Sequence, residues 1–86
     1  MTAVEYSSKF LRQLNKLSGP IQDLAQAREI VFKSNPFDPR LNTHKLHGKD
    51  RRHWAFWVTA KIRIKFLFLG AGQVLYLEIG LHDEVY

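Results

Sequence analysis

The chain has 86 residues, with 13 Lys and Arg against 8 Asp and Glu for a formal charge of +5, and no cysteine. It lacks the run of about 18 apolar residues that a membrane-spanning helix needs, and its first residues include no apolar export segment. We therefore expect one small cytoplasmic domain over residues 1–86, without disulfides or a membrane partner, that favours an anionic partner such as nucleic acid or an acidic protein.

Residues 3–6, Ala-Val-Glu-Tyr, alternate weakly and predict a short first strand. Ser7 or Ser8 then caps a helix that reaches about Leu17, with Phe10, Leu14 and Leu17 as its buried stripe and Lys9, Arg12 and Lys16 outside. Gly19 suits the left-handed position after that helix and Pro20 the first turn of the next, so a helical hairpin follows. The second helix carries Ile21, Leu24, Ala27 and Val31 inward and ends near Asn35, because Pro36 disfavours a helical residue before it. Residues 35–39 are a turn-rich connection within the domain.

The charge surplus is concentrated beyond this point: between Arg40 and Lys65 stand eight Lys or Arg and one acid, Asp50. Leu41 and Leu46 anchor a short strand, residues 48–52 form an exposed loop, and 53–58 resume strand character with Trp, Phe and Val. In 62–69, Ile62, Ile64, Phe66 and Phe68 fall on one face and Arg63 and Lys65 on the other. With 70–73 as a four-residue hairpin loop, these apolar residues oppose Leu81, Ile79, Leu77 and Leu75. With 59–61 as a second loop, they oppose Val58, Phe56 and Trp54 on the other side. The resulting order of elements is β-α-α-β-β-β, an α+β chain.

The non-core face then reads Trp57, Arg63, Gly80 across three strands, with Lys65 opposite Glu78 as a cross-strand ion pair and His82 one step beyond Gly80. An arginine between an aromatic and a glycine has open space above it. Arginine neutralises charge developing on a phosphoryl group and histidine moves protons near neutral pH, so this face suits metal-free RNA cleavage in which the ribose 2′-OH attacks its own phosphate. No paired carboxylates or phosphate-binding glycine loop are present, and His44 and His47 lack a third ligand at matching spacing, so no metal or other cofactor is assigned.

The residues Leu46-His47-Gly48, the strand at Trp54, Lys61-Ile62-Arg63-Ile64-Lys65-Phe66 and the terminal Ile79-Gly80-Leu81-His82-Asp83-Glu84-Val85-Tyr86 resemble toxins of the RelE/ParE superfamily over nearly the whole chain. The resemblance is strongest to the RelE, YafQ and YoeB branch, mRNA interferases of bacterial type II toxin–antitoxin systems that cut mRNA in the ribosomal A site. It implies an antiparallel sheet with the helical hairpin on one face and the RNA-cutting site on the other. The implied partners are a cognate antitoxin, in a hetero-oligomeric complex, and ribosome-bound mRNA.

Carried over by position, Arg63 falls where such toxins place the arginine at the scissile phosphate. His82 and Tyr86 resemble the terminal histidine and aromatic residue of the YafQ type, and His44 resembles its loop histidine. Trp57 and Lys61 stand where YafQ-like chains have a histidine and an aspartate. The catalytic set implied is Arg63, His82, Tyr86 and His44, with Lys45, His47, Lys49, Arg51, Arg52, Trp57, Lys61 and Lys65 toward RNA and the ribosome. Two other readings remain open: a ParE-like inhibitor of DNA gyrase, and a basic adaptor that only binds RNA or protein.

Overall fold

The computed structural model describes residues 1–48 and 52–85, Glu84 by its backbone alone. The chain forms β1 (Ala3–Tyr6), α1 (Ser8–Asn15), α2 (Gly19–Ser34), a 3-10 turn (Pro39–Leu41), β2 (His44–Lys45), β3 (Trp54–Trp57), β4 (Ile62–Gly70), β5 (Gln73–Leu81) and a one-turn α3 (His82–Val85). The sheet order is β1-β5-β4-β3-β2. The α+β arrangement is as expected, with one refinement: β1 pairs parallel to β5, while the other pairs are antiparallel.

Ser7 sets the exit from β1. Its N–H donates to the Tyr76 carbonyl at 3.0 Å and its hydroxyl to the Leu77 carbonyl at 2.8 Å, while the hydroxyl oxygen accepts the Phe10 N–H at 3.0 Å. One side chain thus caps α1 and fastens it to β5. Beyond β1, the free edge of β5 is met by α1, where Gln13 Oε1 accepts the Ile79 N–H at 2.9 Å. This satisfies a strand donor that would otherwise be exposed.

Ser18 caps α2, and Gly19 is that helix's first residue; its φ is not positive, so it does not fill the left-handed position assigned to it. α2 ends at Ser34, with Asn35 as its cap. Its inward residues are Ala25 and Phe32, flanked by Leu24 and Val31, whereas Ala27 is exposed. Phe32, absent from the expected stripe, is the centre of the core, its ring 4.7 Å from Phe56, 5.0 Å from Phe66 and 5.7 Å from Tyr76. Leu41 is buried, but in the 3-10 turn and not in a strand.

The expected register of β3 on β4 holds, with Trp54, Phe56 and Trp57 opposite Phe66, Ile64 and Arg63. On β5 it holds for Ile62–Leu81, Arg63–Gly80, Ile64–Ile79 and Lys65–Glu78 and then shifts, so that Phe66 pairs with Tyr76. Leu77 is the extra residue of a bulge, and it is the residue whose carbonyl receives the Ser7 hydroxyl. Val74 and Tyr76 therefore face the core in place of Leu75 and Leu77. A second shift near the hairpin leaves a two-residue turn, Ala71-Gly72, instead of the four-residue loop; both have positive φ, 52° and 74°. Phe68 and Leu81, expected in the core, are 40% and 47% exposed; Phe68 stacks on Phe37 and meets Trp54 edge-on at the sheet's far end.

Candidate functional site

Two rows of side chains cross the sheet on the side opposite Phe56, Ile64 and Ile79, because paired residues share a face and neighbours in a strand alternate. One row is Trp57, Arg63, Gly80, and the other is His44, Ala55, Lys65, Glu78. Space above this face is smaller than expected. α3 folds back against β4 and β5, Val85 is 2% exposed, and Gly80 and Ala55 are buried.

Arg63 is held in place from two sides. Its guanidinium carbon lies 4.4 Å from the centroid of the Trp57 ring, a cation–π contact, and its Nε and Nη2 donate to the Ala60 carbonyl at 3.2 and 2.8 Å. Ala60 sits in the loop between β3 and β4, which Thr59 organises by accepting the Lys61 and Ile62 N–H groups on its hydroxyl at 3.1 and 2.9 Å. Trp57, with its indole Nε1 buried, supports Arg63 from below.

Ala60, Lys61, Arg63, Leu81, His82 and Asp83 line a shallow hollow of about 370 Å³. It brings three of the sequence-derived residues, Arg63, His82 and Lys61, to one place. The His82 N–H donates to the Lys61 carbonyl at 3.0 Å, and its half-exposed imidazole has Nδ1 3.4 Å from Asp83 Oδ1. His44 shares the face but lies two strands away from β4 on β2, roughly 10 Å at ordinary strand spacing. Its Nδ1 lies 2.8 Å from the Asn42 carbonyl, so a neutral ring carries its proton there and keeps the lone pair on Nε2.

The remaining cations are dispersed. Lys45 pairs with Trp54 and so sits on the helix side, across the sheet from Arg63. His47 and Arg52 are exposed between β2 and β3. Lys65 is only 8% exposed, with its ammonium 3.3 Å from Glu78 Oε2: the expected ion pair is present, and it places this lysine beneath the surface. Burial works to raise the Glu78 carboxyl, but hydrogen bonds from Lys9 and Lys65 and their charges outweigh it and hold Glu78 below its ordinary 4.5. Lys49, Arg51 and Tyr86 lie outside the described residues.

Sequence reasoning missed Ala60, whose carbonyl orients Arg63, and Lys9, whose Nζ reaches Glu78 Oε1 at 3.0 Å. It also gave no role to Asp83, though this carboxylate directly follows His82. Among the described residues no group of three His, Cys, Asp or Glu side chains is placed to hold a metal ion. No helix among them is long and apolar enough to cross a membrane.

No protein-family model matches the sequence, and no curated protein matches it. Solved structures match it along nearly its full length. The YoeB/ParE toxin from Agrobacterium tumefaciens is similar at a TM-score of 0.79 with 14% identity, covering 94% of this chain and 99% of that one. YafQ from E. coli is similar at a TM-score of 0.76 with 12% identity, over 100% and 99% of the two chains. The toxin–antitoxin complex RelBE2 from Mycobacterium tuberculosis matches at 0.79 with 14% identity, over 94% and 98%. At this identity the likeness is one of fold: the chain shares the α+β fold of these YoeB/ParE, YafQ and RelBE2 structures.

Proposed function

We propose that the protein is the toxin of a type II toxin–antitoxin pair and acts as an endoribonuclease on ribosome-bound mRNA. The observation that carries this reading is the hollow in which Arg63, Lys61 and His82 converge, on a fold shared end to end with toxins. Transesterification needs a base at the 2′-OH, an acid at the leaving 5′-oxygen on the opposite side of the phosphorus, and positive charge between them. We assign these two roles to His44, on β2, and His82, after β5, which lie to either side of Arg63 in the strand order. In this mechanism His44 Nε2 takes the 2′-OH proton, the 2′-oxygen attacks phosphorus, and the bond to the 5′-oxygen breaks. Protonated His82 supplies the proton to the departing oxygen, leaving a 2′,3′-cyclic phosphate.

Arg63 stabilises the charge on the phosphoryl oxygens, since its guanidinium stays ionised and bonds two oxygens at once. Lys61 adds charge at the rim. His47, Arg52, Lys49 and Arg51 steer the backbone, and Tyr86 stacks on a nucleotide, the role its resemblance implies. A cognate antitoxin with an acidic or amphipathic C-terminal segment covers the basic face; the RelBE2 and DinJ–YafQ neighbours, which are toxin–antitoxin complexes, support the existence of such a partner.

Induced expression should arrest growth, and primer extension should reveal cuts within translated codons. Intact mRNA together with inhibited gyrase would replace this reading with the gyrase-directed one. Intact mRNA, active gyrase and unimpaired growth would leave a binding adaptor.

A further inference from the structure

α3 is one turn long, too short to hold its shape unaided, yet it carries His82. Its start is tied by the His82 N–H on the Lys61 carbonyl at 3.0 Å and its end by the buried Val85 side chain. A third tie comes from below: Lys65 Nζ donates to the Val85 carbonyl at 3.4 Å, one of the carbonyls that a helix end leaves without an internal partner. The same ammonium sits 3.3 Å from Glu78 Oε2, and Glu78 Oε1 lies 3.0 Å from Lys9 Nζ on α1. Four elements, α1, β5, β4 and α3, are therefore joined through three side chains.

A buried ammonium is a costly way to fill this space. Removing it from water is unfavourable unless a carboxylate and further acceptors compensate, and an apolar side chain of similar volume serves stability as well or better. What an apolar side chain cannot do is donate to the Val85 carbonyl. Lys9, more than half exposed at its side chain, holds the other carboxylate oxygen, so Glu78 is fixed toward Lys65 and Lys65 toward α3.

We propose that Lys9, Glu78 and Lys65 form a charge relay that positions the α3 turn, and with it His82, beside Arg63. Lys65 and Glu78 are positioning residues and touch no substrate. The kinetic consequence rests on the nuclease reading; the structural consequence stands on the geometry alone.

The test compares Lys65→Met, the double variant Lys65→Met/Glu78→Gln and Lys65→Arg with the parent chain. The double variant should fold with a thermal midpoint near the parent's, whereas Lys65→Met alone, which leaves the Glu78 carboxylate only Lys9 as a partner, should melt at a lower temperature. Amide hydrogen exchange at residues 82–85 should quicken by about tenfold or more, the size of one lost charge-assisted hydrogen bond. The kcat for cleavage of ribosome-bound mRNA should fall by a similar factor while KM and its salt dependence stay unchanged, and Lys65→Arg should recover part of both losses. Unchanged exchange at 82–85 in Lys65→Met overturns the relay. An unchanged kcat with raised KM and a weaker salt slope also overturns it, because that pattern marks a direct phosphate contact. Should the methionine variants fail to fold, Lys9→Met at an exposed position of α1 decides by the same exchange measurement. A parent chain that leaves mRNA intact removes the nuclease reading, and the exchange result then still accepts or rejects the relay.

Discussion

The two faces of β3, β4 and β5 are built from alternate residues of the same strands, yet they hold together by different physics. On the helix side Phe32, Phe56, Phe66 and Tyr76 interlock with ring centroids 4.7 to 5.9 Å apart, a non-directional contact that gains energy from area. On the other side Arg63 lies on Trp57, Lys65 is held by Glu78, and His82 stands at a rim. These contacts add little net stability but fix direction. The first face supplies the free energy that holds the second in shape, and the second carries the side chains to which the proposed chemistry is assigned.

The largest expected effect tests that division directly. Phe66→Ala, at a residue with no exposure, should lose about 3–5 kcal/mol, the usual range for truncating a large core side chain. In a domain this small that approaches the whole stability, so urea denaturation should find it largely unfolded. Arg63→Ala and His82→Ala should behave in the opposite way. Each should lower mRNA cleavage by about 10²-fold or more, the typical size of a charge-stabilising or proton-transferring group, while the urea midpoint stays near the parent's. An Arg63→Ala protein that unfolds, or a His82→Ala protein that cuts at the parental rate, would break the comparison.

The faces should also fail at opposite ends of the pH scale. Glu78, on the cationic face, is held below its ordinary 4.5, so its contribution to stability is complete above that value and is lost as pH falls through the lowered one. Tyr6 and Tyr76, on the helix side, shift the other way. Burial, the hydrogen bond to Glu29 and that carboxylate's charge push Tyr6 from 10.0 up to about 12. Burial and the charge of Glu29 raise Tyr76 further still. Their contribution is complete below pH 10 and is lost as pH rises through the folded-state values, when the unfolded chain ionises first. Thermal midpoints measured across pH should show both limbs. Glu78→Gln should flatten the acid limb alone and Tyr6→Phe part of the alkaline limb alone; the reverse assignment would contradict the division.

Legibility in the sequence follows the same boundary. The strand pairs Trp57–Arg63, Arg63–Gly80 and Lys65–Glu78 could be read because charged and apolar residues alternate there, and a slipped register would bury charges. Residues 74–77 are Val-Leu-Tyr-Leu, apolar at every position, so alternation carries no register information, and the bulge at Leu77 depends on the distant Ser7 hydroxyl. The same limit applies to Phe32, which directly follows Val31: with both positions apolar, periodicity does not say which of them leads the buried face. On the cationic face, Arg63 and His82 were legible together from strand alternation, and Lys61 through the resemblance alone. Lys45, set toward RNA with the other cations of this stretch, directly follows His44 in β2, and adjacent strand residues point to opposite faces. The link from Lys9 to Glu78 was not legible, because it depends on α1 lying along the free edge of β5.

The smallest expected effect lies where neither face is involved. The β4–β5 turn places Ala71 at φ 52° and Gly72 at φ 74°, the left-handed pair that lets a two-residue turn follow the twist of its strands. Glycine enters this region without penalty, whereas alanine pays roughly 1–2 kcal/mol for its Cβ. Ala71→Gly relieves that strain but also frees the unfolded chain, which offsets about 0.4–1 kcal/mol. The difference should be a gain of about 0.5–1 kcal/mol, seen as a higher urea midpoint at unchanged slope. Because the turn lies at the far end of the sheet from the Arg63 hollow, cleavage should not change. A variant that is stabilised yet cuts more slowly would show that the hairpin's strain reaches the site through β4, and the two faces would then have to be treated as one mechanical unit.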